Sequence, residues 1–190
     1  MPRRGAPRAR GRADAPAGEP PAPPGKLAVG APAPRFTLPV ANADAVGLEA
    51  LSTRRYVGPA AKEPKRALLL SFAASHCAPC KKELPQIDAL ARRYADRGVL
   101  AAVVAVDDSD EGQAAMLRVA RELGLGLPLL VDGYGIVGRR YGAEVLPLNV
   151  VVAADGAVAW FAAGYAEENL AAMASALERL APSRSERRSP

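Results

Sequence analysis

An α/β fold, a mixed sheet with helices on both faces, is predicted by three features of the sequence. Three short apolar runs stand out: Ala67–Ala74 (ALLLSFAA), Val99–Val106 (VLAAVVAV) and Leu148–Ala154 (LNVVVAA). Their length and continuous apolar character suit strands covered on both faces. Segments with three- and four-residue apolar spacing alternate with them, and Asp155-Gly156 after the third run is a tight-hairpin signal.

Taken in chain order, the elements follow from local patterns. Between the first two runs, Leu84, Ile87, Ala91 and Tyr94 form one face of a helix expected from about Ala78 to Ala95. Strand, helix and strand in this order make a βαβ unit with a right-handed crossover. A second helix is expected over Glu111–Leu123 and a short strand over Leu127–Val131. The hairpin returns through a strand at Ala157–Phe161. A last helix, Glu167–Leu180, carries Leu170, Met173, Leu177 and Leu180 on one stripe, read as ordinary core packing.

The 190 residues suffice for one sizeable core and are few for two domains. Residues 1–25 are rich in Pro, Ala, Gly and Arg without apolar periodicity, and read as a disordered arm or semi-extended tether. The folded domain is expected over residues 26–181, and residues 182–190 read as a disordered basic tail. No internal repeat is visible.

The net charge of +5 raises the question of a nucleic-acid partner. The arm carries Arg3, Arg4, Arg8, Arg10 and Arg12 against Asp14 and Glu19, and the tail Arg184, Arg187 and Arg188 against Glu186. Those tails hold the whole excess, so the body is neutral. No aromatic residues interleave the arginines to stack on bases, and no nucleic-acid partner is expected. No apolar run approaches the roughly 18 residues a membrane helix needs. The start of the chain has arginines but neither an apolar export core nor a cysteine to carry lipid. A cytoplasmic location is expected for the chain as written; a start further upstream would instead make residues 1–25 the tether of a periplasmic, membrane-anchored protein.

The two cysteines form one C-x-x-C, Cys77-Ala78-Pro79-Cys80, directly after a predicted strand and at the opening of a predicted helix. Helix N-termini offer unpaired N–H groups and about half a positive charge, both favouring a thiolate. Pro79 suits the first turn, where a missing N–H costs nothing. Lowering a thiol pKa from about 8.5 to about 7 raises the thiolate fraction roughly 15-fold, and weaker nucleophilicity returns roughly fivefold of that. The larger gains come from Cys77 as a leaving group and from Cys80 held nearby to resolve a mixed disulfide. As a structural staple, so small a loop would contribute only about 2 kcal/mol. Zinc needs four ligands where the chain offers two cysteines and the single His76, and haem attachment needs a histidine where Lys81 stands. Redox chemistry through a Cys77–Cys80 disulfide, with no other cofactor and no metal, is the reading that remains.

The stretch Leu68–Pro85 (LLLSFAASHCAPCKKELP) resembles the active-site segment of the TlpA/ResA-like branch of the thioredoxin superfamily, with its W-C-x-P-C-K-K-E-x-P pattern. Similarity continues through Val29–Leu38, Leu48–Leu51, Val106-Asp107-Asp108-Ser109, Leu146-Pro147 and Asp155-Gly156. The resemblance implies a thioredoxin-like fold and a disulfide reductase acting on protein disulfides, supplied by a thiol electron donor, with a monomer expected. It makes Cys77 the exposed nucleophile, Cys80 the resolving thiol and Pro147 a cis-proline facing the disulfide. Pro85 would kink the active-site helix. Glu83 matches the motif's acid, which in some members tunes the thiols; a solvated first-turn carboxylate is the other reading.

There are departures. His76 and Ala73 stand where tryptophans are usual, and Ser71 where thioredoxins proper bury an aspartate. Leu146 replaces a smaller or β-branched residue. His76 either lends positive charge to Cys77 or is a tolerated surface replacement. A peroxiredoxin-like peroxide reductase is the rival enzyme, but its P-x-x-x-T-x-x-C pattern would place proline and a hydroxyl where Leu70 and Ala74 stand. A non-enzymatic thiol carrier or interaction module is the third reading.

Overall fold

The structure, a computed structural model, describes residues 27–183. The arm expected over 1–25 and all but the first two residues of the tail expected over 182–190 lie outside the described residues. Five strands form the central sheet: β3 (Ala67–Ala73), β4 (Val99–Ala105), β5 (Leu129–Val131), β6 (Leu148–Ala153) and β7 (Val158–Ala163), in the order β5-β4-β3-β6-β7. β3 runs parallel to β4 and β4 to β5, whereas β6 is antiparallel to both β3 and β7. The sheet is therefore mixed, as the alternation of runs and helical segments predicts. A two-stranded ribbon of β1 (Thr37–Pro39) and β2 (Ala50–Ser52) precedes it, with the single turns α1 (Ala43–Val46) and α2 (Thr53–Tyr56).

All seven residues of β3 are buried, because both sheet faces are covered. Alternate side chains divide between two cores. Ala67, Leu69 and Ala73 join Leu84 and Ile87 of α3 (Ala78–Ala95), Met116 of α4 (Asp110–Glu122), and Met173 and Leu177 of α6 (Glu167–Leu180). Leu68, Leu70 and Phe72 join Phe36, Leu51, and Val137 and Tyr141 of α5 (Ile136–Tyr141). Consecutive right-handed crossovers from β3 to β4 to β5 put α3 and α4 on the same face, and α5 crosses back to β6 on the other.

The bounds of α3 and α6 coincide with the apolar periodicity. Other ends move by one or two residues. β5 starts at Leu129, after Pro128, which has no N–H for a ladder. α4 starts at Asp110 because Ser109 caps it, the Gly112 N–H donating to Ser109 Oγ at 3.1 Å. The return strand begins at Val158, Ala157 being held in an isolated bridge to Pro32.

Candidate functional site

Three chain segments meet where β3 and β4 reach their carboxyl ends. The first is the turn from β3 into α3. Cys77 is the N-cap of α3, and the Cys80 N–H donates to Cys77 Sγ at 3.2 Å. Pro79 occupies the first turn, and Cys77 and Cys80 are joined in a disulfide with Cα atoms 5.3 Å apart. Both cysteines are buried in the disulfide form, so Cys77 is not the exposed residue that the resemblance implies, but it keeps 9% of its surface where Cys80 keeps 1%. Pro85 lies inside α3, so the Lys81 carbonyl lacks its usual helical donor.

The second segment follows β4. Asp107 is buried, and its carboxylate accepts the Ser75 N–H on both oxygens, at 3.1 and 3.0 Å, and the Ser75 hydroxyl at 2.6 Å. Ser75 lies two residues before Cys77, so this carboxylate ties the active-site turn to the end of the neighbouring strand. Gly112 lets α4 close over it, because a Cβ there would meet Asp107 Cβ at 2.9 Å. His76 projects into solvent, its side chain 82% exposed, with Nδ1 4.0 Å from Asp107 Oδ1. The third segment is the loop before β6, where the Leu146–Pro147 peptide bond is cis.

One turn along α3 from Cys80 lies a buried polar group. Glu83 is fully buried, which excludes the solvated carboxylate of the alternative sequence reading. Residues 80 and 83, three apart on α3, share a helix face. The Asn149 amide of β6 donates from Nδ2 to Glu83 Oε2 at 2.8 Å. Burial pushes the Glu83 carboxyl above its usual range, and the Asn149 hydrogen bond opposes that rise. Asp107 and Asn149 are contributions that motif reading did not single out. The signal for Asn149 was present: it is the one polar residue in an otherwise apolar strand run.

The raised Glu83 carboxyl has a measurable consequence for stability. Below the unfolded-state value near 4.5 the group is protonated in both states. Above it the unfolded chain ionises first, so stability is expected to fall as pH rises, until the folded-state value is passed. Subtracting the unfolding free energy of Glu83→Gln from that of the oxidised wild type isolates this group. The difference should move against the wild type with a slope of up to about 1.4 kcal/mol per pH unit, starting near pH 4.5. Denaturant titrations across pH 4–8 measure it; a flat difference would place the carboxyl in water.

A disulfide capping a helix at the carboxyl end of a central strand, in a sheet of this order, defines the thioredoxin-like class. The model of the AhpC/TSA family matches residues 29–161, and the chain belongs to that family. It is 30% identical over 93 residues to the thiol-disulfide oxidoreductase ResA of Bacillus thuringiensis subsp. konkukian, covering 49% of this chain and 52% of that protein. The chain thus spans about half the length of that relative. Over 132 residues it is 30% identical to ResA of Geobacillus thermodenitrificans, covering 70% of this chain and 67% of the relative. Among solved structures, a Chlorobium tepidum protein assigned as the thiol:disulfide interchange protein DsbE superposes with a TM-score of 0.69 at 19% identity, over 82% of this chain and 99% of that one. At that identity the likeness is one of fold.

Proposed function

We propose that this protein is a thiol–disulfide oxidoreductase that reduces protein disulfides through Cys77 and Cys80. The observation that carries the reading is the disulfide at the N-cap of α3, with Cys77 the less buried of its two cysteines and a backbone N–H directed at the Cys77 sulfur. In the reduced protein the helix end and the Cys80 N–H favour the Cys77 thiolate. That thiolate attacks a substrate disulfide R–S–S–R′, forming R–S–S–Cys77 and releasing R′–S⁻, which takes up a proton. Cys80 then loses its proton, attacks Cys77 Sγ, re-forms the Cys77–Cys80 bond and releases R–S⁻. Two electrons pass from the protein to the substrate, and a dithiol donor restores them by the reverse sequence.

The cysteine pair holds both electrons, so the reaction calls for no further cofactor; among the described residues no group of three or more His, Cys, Asp or Glu could hold a metal ion. Pro147 forms the rim on which an extended substrate chain lies, beside the exposed Val145. Glu83 serves as the buried proton acceptor for Cys80 on the same helix face. His76 is a solvent-facing neighbour of the nucleophile. The peroxide-reducing alternative lacks its hydroxyl: the positions it requires hold Leu70 and Ala74, both buried and apolar.

Cys80→Ser tests the sequence of steps. Incubated with a disulfide-bonded protein, the reduced variant is expected to accumulate a mixed disulfide on Cys77, seen as a heavier band without reductant and lost with it. The slowed step is the intramolecular one, for which well-placed groups reach effective concentrations of about 10⁵ M or more. Adduct formed on no cysteine, or rapid peroxide consumption by the wild type, would contradict the mechanism.

A further inference from the structure

Three buried polar side chains meet on the face of the sheet covered by α3, and each keeps a polar atom unpaired: Ser71 Oγ, Glu83 Oε1 and Asn149 Oδ1. Ser71 and Asn149 are directly opposite in the β3–β6 register, so their Cβ atoms are about 4.5–5.5 Å apart. Both are fully buried, as is Glu83. Buried polar atoms normally find partners, so three unpaired ones on one sheet face call for a role.

The chemistry of an amide supplies one. Asn149 carries a donor and an acceptor on one rotatable group. As observed, Nδ2 donates to Glu83 Oε2, the arrangement a carboxylate needs. A half-turn of the amide brings Oδ1 into that place, where it accepts the O–H of a carboxylic acid. The Ser71 hydroxyl, directly across the strand pair from Asn149, is the further polar group on this face and has no partner of its own. We propose that Asn149 is a positioning residue for thiol exchange: its side-chain amide holds Glu83 in either protonation state, so the carboxyl can take a proton from Cys80 and return it while remaining buried.

The proton balance fits the exchange steps. In the resolving step Cys80–SH gives its proton to the Glu83 carboxylate and the resulting thiolate attacks Cys77. When a donor thiolate later attacks Cys77, Cys80 leaves as thiolate and recovers the proton from the Glu83 carboxyl. Among the described residues the packed elements present no titratable side chain here: β3 presents Ser71, β6 presents Asn149, and α6 buries Met173, Ala176 and Leu177, while the buried Asp88 further along α3 is held by Arg92 and the Gly126 N–H. On α3 the other titratable groups of this turn are Cys77 and Cys80, Lys81 and Lys82 being exposed. This assignment rests on the role of Glu83 proposed above.

Two β-branched replacements, isosteric with each other and suited to a strand, give the test. Asn149→Val removes the amide, whereas Asn149→Thr keeps a hydroxyl that both donates and accepts. In protein carrying carboxyl-labelled glutamate, the Glu83 titration followed by carbon NMR should move upward by about one to two pH units in Asn149→Val. It should move less in Asn149→Thr. The pH profile of insulin reduction should move in the same direction, and Asn149→Val should no longer move it in a Glu83→Gln background. An unmoved Glu83 midpoint in Asn149→Val overturns the assignment to Asn149. A wild-type pH profile in Glu83→Gln alone overturns the prior reading of Glu83, and the proton step with it.

Discussion

Replacing Cys77 by serine is expected to reduce insulin disulfide reduction to the rate of the donor dithiol alone, a loss of roughly a hundredfold or more. The more accessible of the two cysteines is gone, and Cys80, 1% exposed, cannot take its place. The fold should survive, because Cys77 caps α3 with a side-chain acceptor, a role a serine oxygen also fills. Circular dichroism and thermal melting of reduced proteins check that, and the insulin turbidity assay checks the loss. Full activity in Cys77→Ser would remove the nucleophile from the scheme. Paired with the adduct expected of Cys80→Ser, the result also separates the two sulfurs: one variant forms no adduct, and the other forms one and keeps it.

What could be read in the chain, and what could not, divides along sequence distance. α3 was legible end to end because Leu84, Ile87, Ala91 and Tyr94 repeat at helical spacing and the N-cap and Pro79 mark its start. The hairpin was legible because Asp155-Gly156 needs a turn and Gly156 adopts φ +91°. α5 was not: six residues between Gly135 and Gly142 are too few to show a period. The cysteine pair announced itself, since both members sit in four residues. Its supports did not. Ser75 and Asp107 are 32 residues apart and Glu83 and Asn149 66, and nothing local distinguishes a partnered buried carboxylate from a solvated one. Glu83, among lysines at the start of a helix, looks like a surface residue until β6 is laid beside it. The pattern K-K-E faces water with its lysines and the sheet with its acid.

The same long-range logic predicts the largest stability effect, at Phe72. This side chain is fully buried on the face of β3 away from the disulfide, its ring centroid 4.9 Å from that of Tyr141 in α5. Tyr141 meets Phe36 edge-on at 6.0 Å and donates its hydroxyl to the Pro34 carbonyl at 2.7 Å. Burial pushes the Tyr141 phenol above its usual range, so it stays a donor into the alkaline range where a free phenol would ionise. Phe72 is thus the point at which the N-terminal segment and the short α5, both weak as isolated elements, gain their anchorage to the sheet. Phe72→Ala removes the buried ring, leaves a cavity and withdraws the aromatic contact, for an expected loss of about 3–5 kcal/mol. That corresponds to a fall in Tm of roughly 10 °C for a chain of this size. Phe161→Ala, at a side chain 36% exposed on the edge strand β7, should cost far less. Thermal melts of both variants decide the matter: equal losses would mean that the second core does not converge on Phe72. A large loss at Phe72 with the Cys77–Cys80 exchange rate preserved at low temperature would show that the two faces of β3 divide the work, one holding the chain together and the other presenting the sulfurs.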